Sequence, residues 1–388
     1  MPEGRRGSLF NLHYTFDLSM PSRVKTSDYT LLTYFIVLIL FGLLVLSSAG
    51  VSAGIERFQD PYFFIKRQLL LGFFPGIVLF WIAAKLDYHV WKKFALPIFV
   101  GGIILLILPF IPGIGSTHGT GARSWIVLGG NSFQPAEAIK LGLIIFMAAF
   151  LSNMGKHIYD FKHGFLVALG VGMIPIALVI LQPDIGTTFI LFSILTFLLF
   201  FANAKFTHLS ALGLVAIVAF ILMIIAAPYR AERMMTFLHP ELDPQGQGYH
   251  INQAFLAIGS GGVFGLGLGH SRQKFQYLPE VHADSIFAVA AEEFGIVIIG
   301  LFLTLLVLIT LRALRIAKHS PDSFGRLLVA GIVSWFVVQS LLNIGAMVGL
   351  LPLTGVPLPF VSHGGSALMI GMVGMGIIMN VSKYSSVK

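Results

Sequence analysis

Residues Tyr29–Gly50 read YTLLTYFIVLILFGLLVLSSAG, twenty-two residues without one Asp, Glu, Lys, Arg or His. At about 1.5 Å per residue such a run makes a helix roughly 33 Å long, the thickness of a bilayer's hydrocarbon core. It is apolar all round rather than striped, which fits lipid and not an aqueous surface. Working outward, the same signature recurs at 68–84, 94–111, 136–154, 164–181, 185–202, 208–227, 285–311, 327–350 and 364–381. The sequence therefore predicts an all-α polytopic membrane protein. It has ten transmembrane helices, a tail at 1–28, a membrane domain at 29–388, and a large loop at 228–284 between the seventh and eighth helices. Composition agrees: 56% of the 388 residues are hydrophobic and 11% charged, against about 25% charged in soluble domains. An ordinary soluble globular protein is excluded.

The chain has no cysteine, which removes disulfides, thiolate metal sites and a Cys nucleophile. Its net charge of +8 is distributed by side of the membrane, so nucleic acid is not expected as a partner. With the N-terminus inside, the inner segments carry sixteen Lys and Arg and the outer loops eight, and the positive-inside rule then makes both termini cytoplasmic. Ser47-Ser48-Ala49 resembles a signal-peptide cleavage site, but the apolar run before it is too long for one and nine further spans follow.

Ionisable residues in or beside spans mark function by default, because desolvating a charge is costly. Here they gather toward the outer leaflet. Glu137 and Lys140 share a helix face at i, i+3, and read either as a site or as a satisfied ion pair. Asp184 and Asp284 each stand where a helix N-cap belongs, so capping competes with chemistry at both. Arg67 closes the first outer loop and Arg123 lies in the second; Arg272 and Lys274 lie in the long one. Glu292 and Glu293 are adjacent within the eighth span, and one of them needs an interior partner. The glycines of 259–269 read either as an anion-binding loop or as tight backbone packing, and no Lys-Ser or Lys-Thr follows them. His282 is a lone candidate metal ligand, and the stripe Met369, Met372, Met375 and Met379 reads as apolar packing. Carboxylates able to act as a base, beside cations able to hold a phosphate, point to an anionic lipid headgroup.

The motifs extend this. Gly121-Ala122-Arg123-Ser124-Trp125, Gln134-Pro135-Ala136-Glu137-Ala138-Ile139-Lys140-Leu141, Gln182-Pro183-Asp184-Ile185-Gly186-Thr187-Thr188, and Leu278-Pro279-Glu280 with His282, Asp284 and Glu292-Glu293 occur in order. Leu351-Pro352-Leu353-Thr354-Gly355 and Ser362 with Gly364-Gly365-Ser366 complete the set. Together they resemble the SEDS family (shape, elongation, division and sporulation) of bacterial cell-wall proteins, and Gly267–Pro279 looks closer to the division and sporulation members than to the elongation member.

The resemblance implies a peptidoglycan glycosyltransferase of the bacterial cytoplasmic membrane, at the division septum, that polymerises lipid II. It implies a single-span class B penicillin-binding protein and other division proteins as partners, and Mg2+ or Mn2+ as a cofactor with no ligand set legible here. Asp284 matches the family's essential acid and would deprotonate the acceptor hydroxyl. Glu137, Lys140 and Asp184 match its polar cavity; Arg67 and Arg123 would hold pyrophosphate, with Arg272, Lys274 and Ser362 as further substrate contacts. The chain departs from the family at Ala283 and Ser285, beside the acid, and at His363. A lipid II flippase, drawing on Glu292 and Glu293, and a non-catalytic scaffold, in which Asp284 only caps a helix, are the competing readings.

Overall fold

The computed structural model describes residues 26–116, 124–128, 131–225, 234–243, 246–275 and 277–386. Among the described residues, seven helices are long and apolar enough to cross a membrane. They are α1 (Tyr29–Phe58), α2 (Phe63–Lys85), α4 (Pro135–Met154), α5 (Phe161–Leu181), α9 (Ile286–Lys318), α10 (Ser323–Met347) and α11 (Gly365–Ser382). Three shorter apolar helices, α3 (Ala95–Ile107), α6 (Ile185–Phe201) and α7 (Phe206–Ile225), stand at the third, sixth and seventh expected spans. An amphipathic helix, α8 (Gln247–Gly261), lies in the long loop.

Local chemistry sets the ends. Asp28 caps α1 by accepting the Leu31 N–H. Asp322 caps α10 by accepting the Gly325 N–H, which starts that helix four residues earlier than hydropathy alone suggests. α1 runs eight residues beyond its apolar stretch, to Phe58, and closes on Gln59 in the left-handed conformation. A π-helical turn at Gln68–Phe73 inside α2 carries the buried Gln68. The segment before α4 folds as a small antiparallel sheet that the all-helical reading did not contain: β1 (Gly115–Ser116), β2 (Trp125–Leu128) and β3 (Asn131–Phe133). Trp-Ile-Val-Leu is too short for a helix and rich in strand-forming side chains.

α10 and α11 form the centre, with 78% and 72% of their apolar windows buried, whereas only 22% is buried in α2 and in α9. α4 and α6 pack on α10, α11 packs on α2, and α8 lies along α9. Met372, Met375 and Met379 are buried in this core, in keeping with the packing reading of that stripe.

α9 is interrupted at Gly295, at φ 70° and ψ 177°. The break frees the carbonyls of Glu292 and Glu293, which accept the Leu266 N–H at 2.9 Å and the Gly267 N–H at 3.0 Å. In return, the Ile296 and Val297 N–H groups reach the carbonyls of Gly262 at 3.0 Å and Val263 at 3.3 Å. A Cβ on Gly295 would collide with the backbone of Phe264 and Gly265. The glycine-rich stretch thus serves close backbone packing and satisfies groups that an interrupted helix leaves exposed.

Candidate active site

A cavity of about 460 Å3 opens where the N-terminal ends of α4, α6, α9 and α11 meet the 352–357 segment. Glu137, Lys140, Asp184 and Asp284 all line it, together with His250 and His363. Residues drawn from five separate stretches of sequence are therefore neighbours in space. Arg123 lies outside the described residues. Arg67 sits beside the cavity, its guanidinium 5.1 Å from the centre of the Phe63 ring, and its charge is felt at His363.

The two candidate caps have different fates. Asp184 caps α6: Oδ1 accepts the Thr187 N–H at 2.9 Å and Oδ2 the Thr187 hydroxyl at 2.8 Å. Asp284 caps nothing. Ser285 takes the N-cap position of α9 without a side-chain cap bond. The Asp284 carboxyl receives no hydrogen bond or ion pair from another side chain among the described residues. Burial raises its pKa from the usual 3.8 to about 6, opposed by a hydrogen bond from its own backbone and reinforced by Glu280.

The frame around this acid is tightly held. The Asn343 amide donates to the Asp284 carbonyl and to the Val356 carbonyl, each at 2.8 Å. The Ser362 hydroxyl donates to the Ala283 carbonyl at 2.6 Å and accepts the Leu358 N–H at 2.8 Å. Gln68 donates to the Ser362 carbonyl at 3.2 Å and accepts the Gly364 N–H at 2.9 Å, so the π-turn of α2 is tied to the start of α11. Ser362 thus acts on the backbone that carries Asp284. The Ser285 hydroxyl donates to the Pro279 carbonyl at 2.6 Å. Its single proton is then used, so His250, with Nε2 also at 2.6 Å, is the donor in that contact. The departures at 283 and 285 leave both neighbours of the acid anchored.

His250 and His363 line the cavity with the acid, His282 stands two residues before it in the chain, and burial lowers the pKa of each imidazole. His363 falls to about 3, with His282 and Arg67 adding to the effect, and His282 falls to about 4 against the opposing charge of Glu280. His250 is lowered too. All three are therefore neutral at physiological pH. The His282 and His363 rings pack against Phe64, at 3.9 and 5.1 Å between centroids, and the His363 backbone N–H donates to the His282 carbonyl at 2.8 Å.

Across the cavity, the Lys140 ammonium lies 2.8 Å from both Glu137 oxygens, donating to Oε1, and donates again to Gln339 Oε1 at 2.8 Å. Gln339 also accepts from the Trp335 indole at 2.7 Å and donates to the Pro357 carbonyl at 2.9 Å. Two of the three ammonium protons are engaged, which leaves one for a ligand in the cavity. Glu137 Oε2 is buried and accepts no hydrogen bond. The pair is thus a buried ion pair with one carboxylate oxygen unmatched among the described residues, and also part of the cavity wall. Gln339 and Asn343 were not singled out in the sequence; two amides at i, i+4 in an otherwise apolar span were the available signal.

Lys274 and Arg272 belong to another place. The Lys274 ammonium pairs with Glu293 at 2.7 Å and donates to Ser48 Oγ and the Gly269 carbonyl, each at 2.9 Å. Ser48 also donates to Glu293 at 2.6 Å. Glu292 accepts the Ser271 hydroxyl and the Arg272 N–H at 2.5 and 2.9 Å, while the Arg272 side chain is exposed. The adjacent carboxylates both find interior partners and bind the glycine-rich loop to α1 and α9. Among the described residues, no three His, Asp or Glu side chains converge as metal ligands.

Comparisons with known proteins agree with this architecture. The cell cycle protein family of FtsW, RodA and SpoVE matches residues 29–387. Stage V sporulation protein E of Bacillus subtilis is 39% identical over 366 residues, covering 94% of this chain and 100% of that protein. The probable peptidoglycan glycosyltransferase FtsW of Geobacter sp. strain M18 is 38% identical over 360 residues, 93% of this chain and 98% of the relative. Among solved structures, a chain of a peptidoglycan synthase complex that coordinates polymerization and crosslinking superposes with a TM-score of 0.76 at 26% identity, covering 93% of this chain and 99% of its own.

Proposed function

The chain belongs to the FtsW/RodA/SpoVE family of cell cycle proteins, and from that membership we propose how it works as a peptidoglycan glycosyltransferase. The polymer grows from lipid II at the outer face of the bacterial cytoplasmic membrane, and the setting is septal wall synthesis. α3, α6 and α7 count as spans with the seven longer helices, giving ten in a single membrane domain at 29–388. Both termini are then cytoplasmic and the loop 228–284 is extracytoplasmic.

Asp284 is the general base. Its carboxylate takes the proton of the acceptor hydroxyl; that oxygen forms a bond to the donor's anomeric carbon as the bond to pyrophosphate breaks, and undecaprenyl pyrophosphate leaves. The free Lys140 proton, Arg67 and Arg123 balance the leaving charge. Asp184 and Glu137 shape the polar wall, and Ser362 and Asn343 position the acid through the backbone. Arg272, by its exposure, can meet substrate outside the cavity, and Lys274 supports the loop rather than the substrate. A divalent cation, as the family resemblance implies, would supply charge neutralisation at the leaving pyrophosphate. A class B penicillin-binding protein is the crosslinking partner.

One observation carries the reading: a recessed, unpaired carboxyl shares a cavity with a lysine that has a proton to spare. The glutamates that a transport reading would use, Glu292 and Glu293, are consumed in holding a loop, which favours the enzyme. The test is lipid II polymerisation by the purified chain with its penicillin-binding partner and Mg2+, wild type against Asp284→Asn. Glycan from wild type alone supports the proposal, and glycan from Asp284→Asn refutes the base.

A further inference from the structure

At the opposite ends of α6, α9 and α10 from the candidate active site, a second cavity of about 500 Å3 opens between the α6–α7 turn and the α9–α10 turn. Phe200, Phe201, Leu209 and Leu314 give it apolar walls, and Lys318 and Arg326 bring the only charges among the described residues. Among the described residues no carboxylate lines it, and neither cation forms an ion pair. Asp322, the acid nearest Arg326 in sequence, is turned away: it accepts the Gly325 N–H at 2.6 Å, the Tyr88 hydroxyl at 2.7 Å and His89 Nε2 at 2.8 Å. Arg326 Nε is buried without a hydrogen-bond partner among the described residues. A guanidinium proton withdrawn from water and left unmatched is costly, and an acceptor from outside the chain would relieve it.

We infer that this cavity binds an anionic phospholipid, with the phosphate on Arg326 and Lys318 and an acyl chain along the phenylalanines. The guanidinium fork matches phosphate oxygens, and basic pockets between membrane helices suit acidic headgroups. A free phosphate would leave the apolar walls uncovered, and a neutral lipid would leave both cations unmatched. Under the proposed orientation the site lies in the cytoplasmic leaflet. It does not depend on the polymerase reading, and its test reads lipid rather than glycan.

The purified full chain is taken through native mass spectrometry with phosphatidylglycerol or phosphatidylcholine, with inorganic phosphate as a separate arm. Phosphatidylglycerol should be retained in preference to phosphatidylcholine, and Lys318→Gln/Arg326→Gln should weaken that preference roughly thirtyfold, about tenfold or less for each cation. Leu209→Trp, which fills the cavity and keeps both charges, should also lose the lipid. It decides the matter if the double variant does not fold. Equal retention of the two lipids, undiminished retention in Leu209→Trp, inorganic phosphate displacing phosphatidylglycerol, or a protein found there instead each overturns the proposal.

Discussion

Replacing Asp284 by Asn should make the protein more stable while it stops making glycan. The carboxyl has no compensating cation among the described residues, and burial lifts its pKa from 3.8 to about 6. A group protonated more readily in the folded state binds more protons there, so stability falls as pH rises from about 4 through 6 and stays low above. At about 1.4 kcal/mol per pKa unit, the ionised acid costs at most about 3 kcal/mol at pH 8 and about half of that at pH 5. Asn is close in shape and carries no charge, so Asp284→Asn should recover that amount. The unfolding entropy of a 388-residue chain is about 0.8 kcal/mol/K by globular averages, which converts 3 kcal/mol into about 4 °C. The assay is thermal unfolding of both proteins in detergent from pH 5 to 8, with lipid II polymerisation measured on the same samples. The variant should unfold higher, and the gap should widen with pH. A variant that is less stable, or a gap that is flat with pH, would refute the unpaired buried acid and restore the capping role.

Polymerisation by wild type should rise with pH through about 6 as Asp284 ionises, and a rate that is flat from pH 5 to 8 would remove Asp284 as the base. Lys140→Met should strip buried Glu137 of its ion-pair partner and lower stability by about 3–5 kcal/mol. Lys140→Met/Glu137→Gln should recover most of that in a thermal scan yet still polymerise poorly. Gly295→Ala should abolish folded protein in a size-exclusion assay, because the position combines a positive φ with backbone contact to Phe264 and Gly265. His89 is raised by its hydrogen bond to Asp322 and again by Asp87. Its contribution to stability is complete below about pH 6.5 and lost as pH rises through its folded value, so Asp322→Asn should flatten that dependence in unfolding measured from pH 6 to 9.

Much of the fold was legible residue by residue. Hydropathy is a local sum, so YTLLTYFIVLILFGLLVLSSAG declares a helix in lipid whatever it packs against, and each apolar helix stands where such a run occurs. The helix ends were less legible, because Asp322 and Gln59 act through single backbone contacts that no window average registers. The sheet at 115–133 escaped for a similar reason: a four-residue strand carries too little periodicity to outweigh the turns around it.

The sequence by itself determined that the chain lives in a membrane, where its helices run, and which motifs it shares with a family. Apart from the family resemblance, the residues themselves could not separate Asp184 from Asp284, because both stand just before a helix. Only the tertiary structure decided that one is a cap and the other an unpaired acid. The partners that make the difference are remote: Asn343 reaches the Asp284 carbonyl across 59 residues, Gln339 meets Lys140 across 199, and Ser48 meets Glu293 across 245. In a low-dielectric interior a charge is defined by the groups within a few ångströms of it, and chain folding alone chooses those groups.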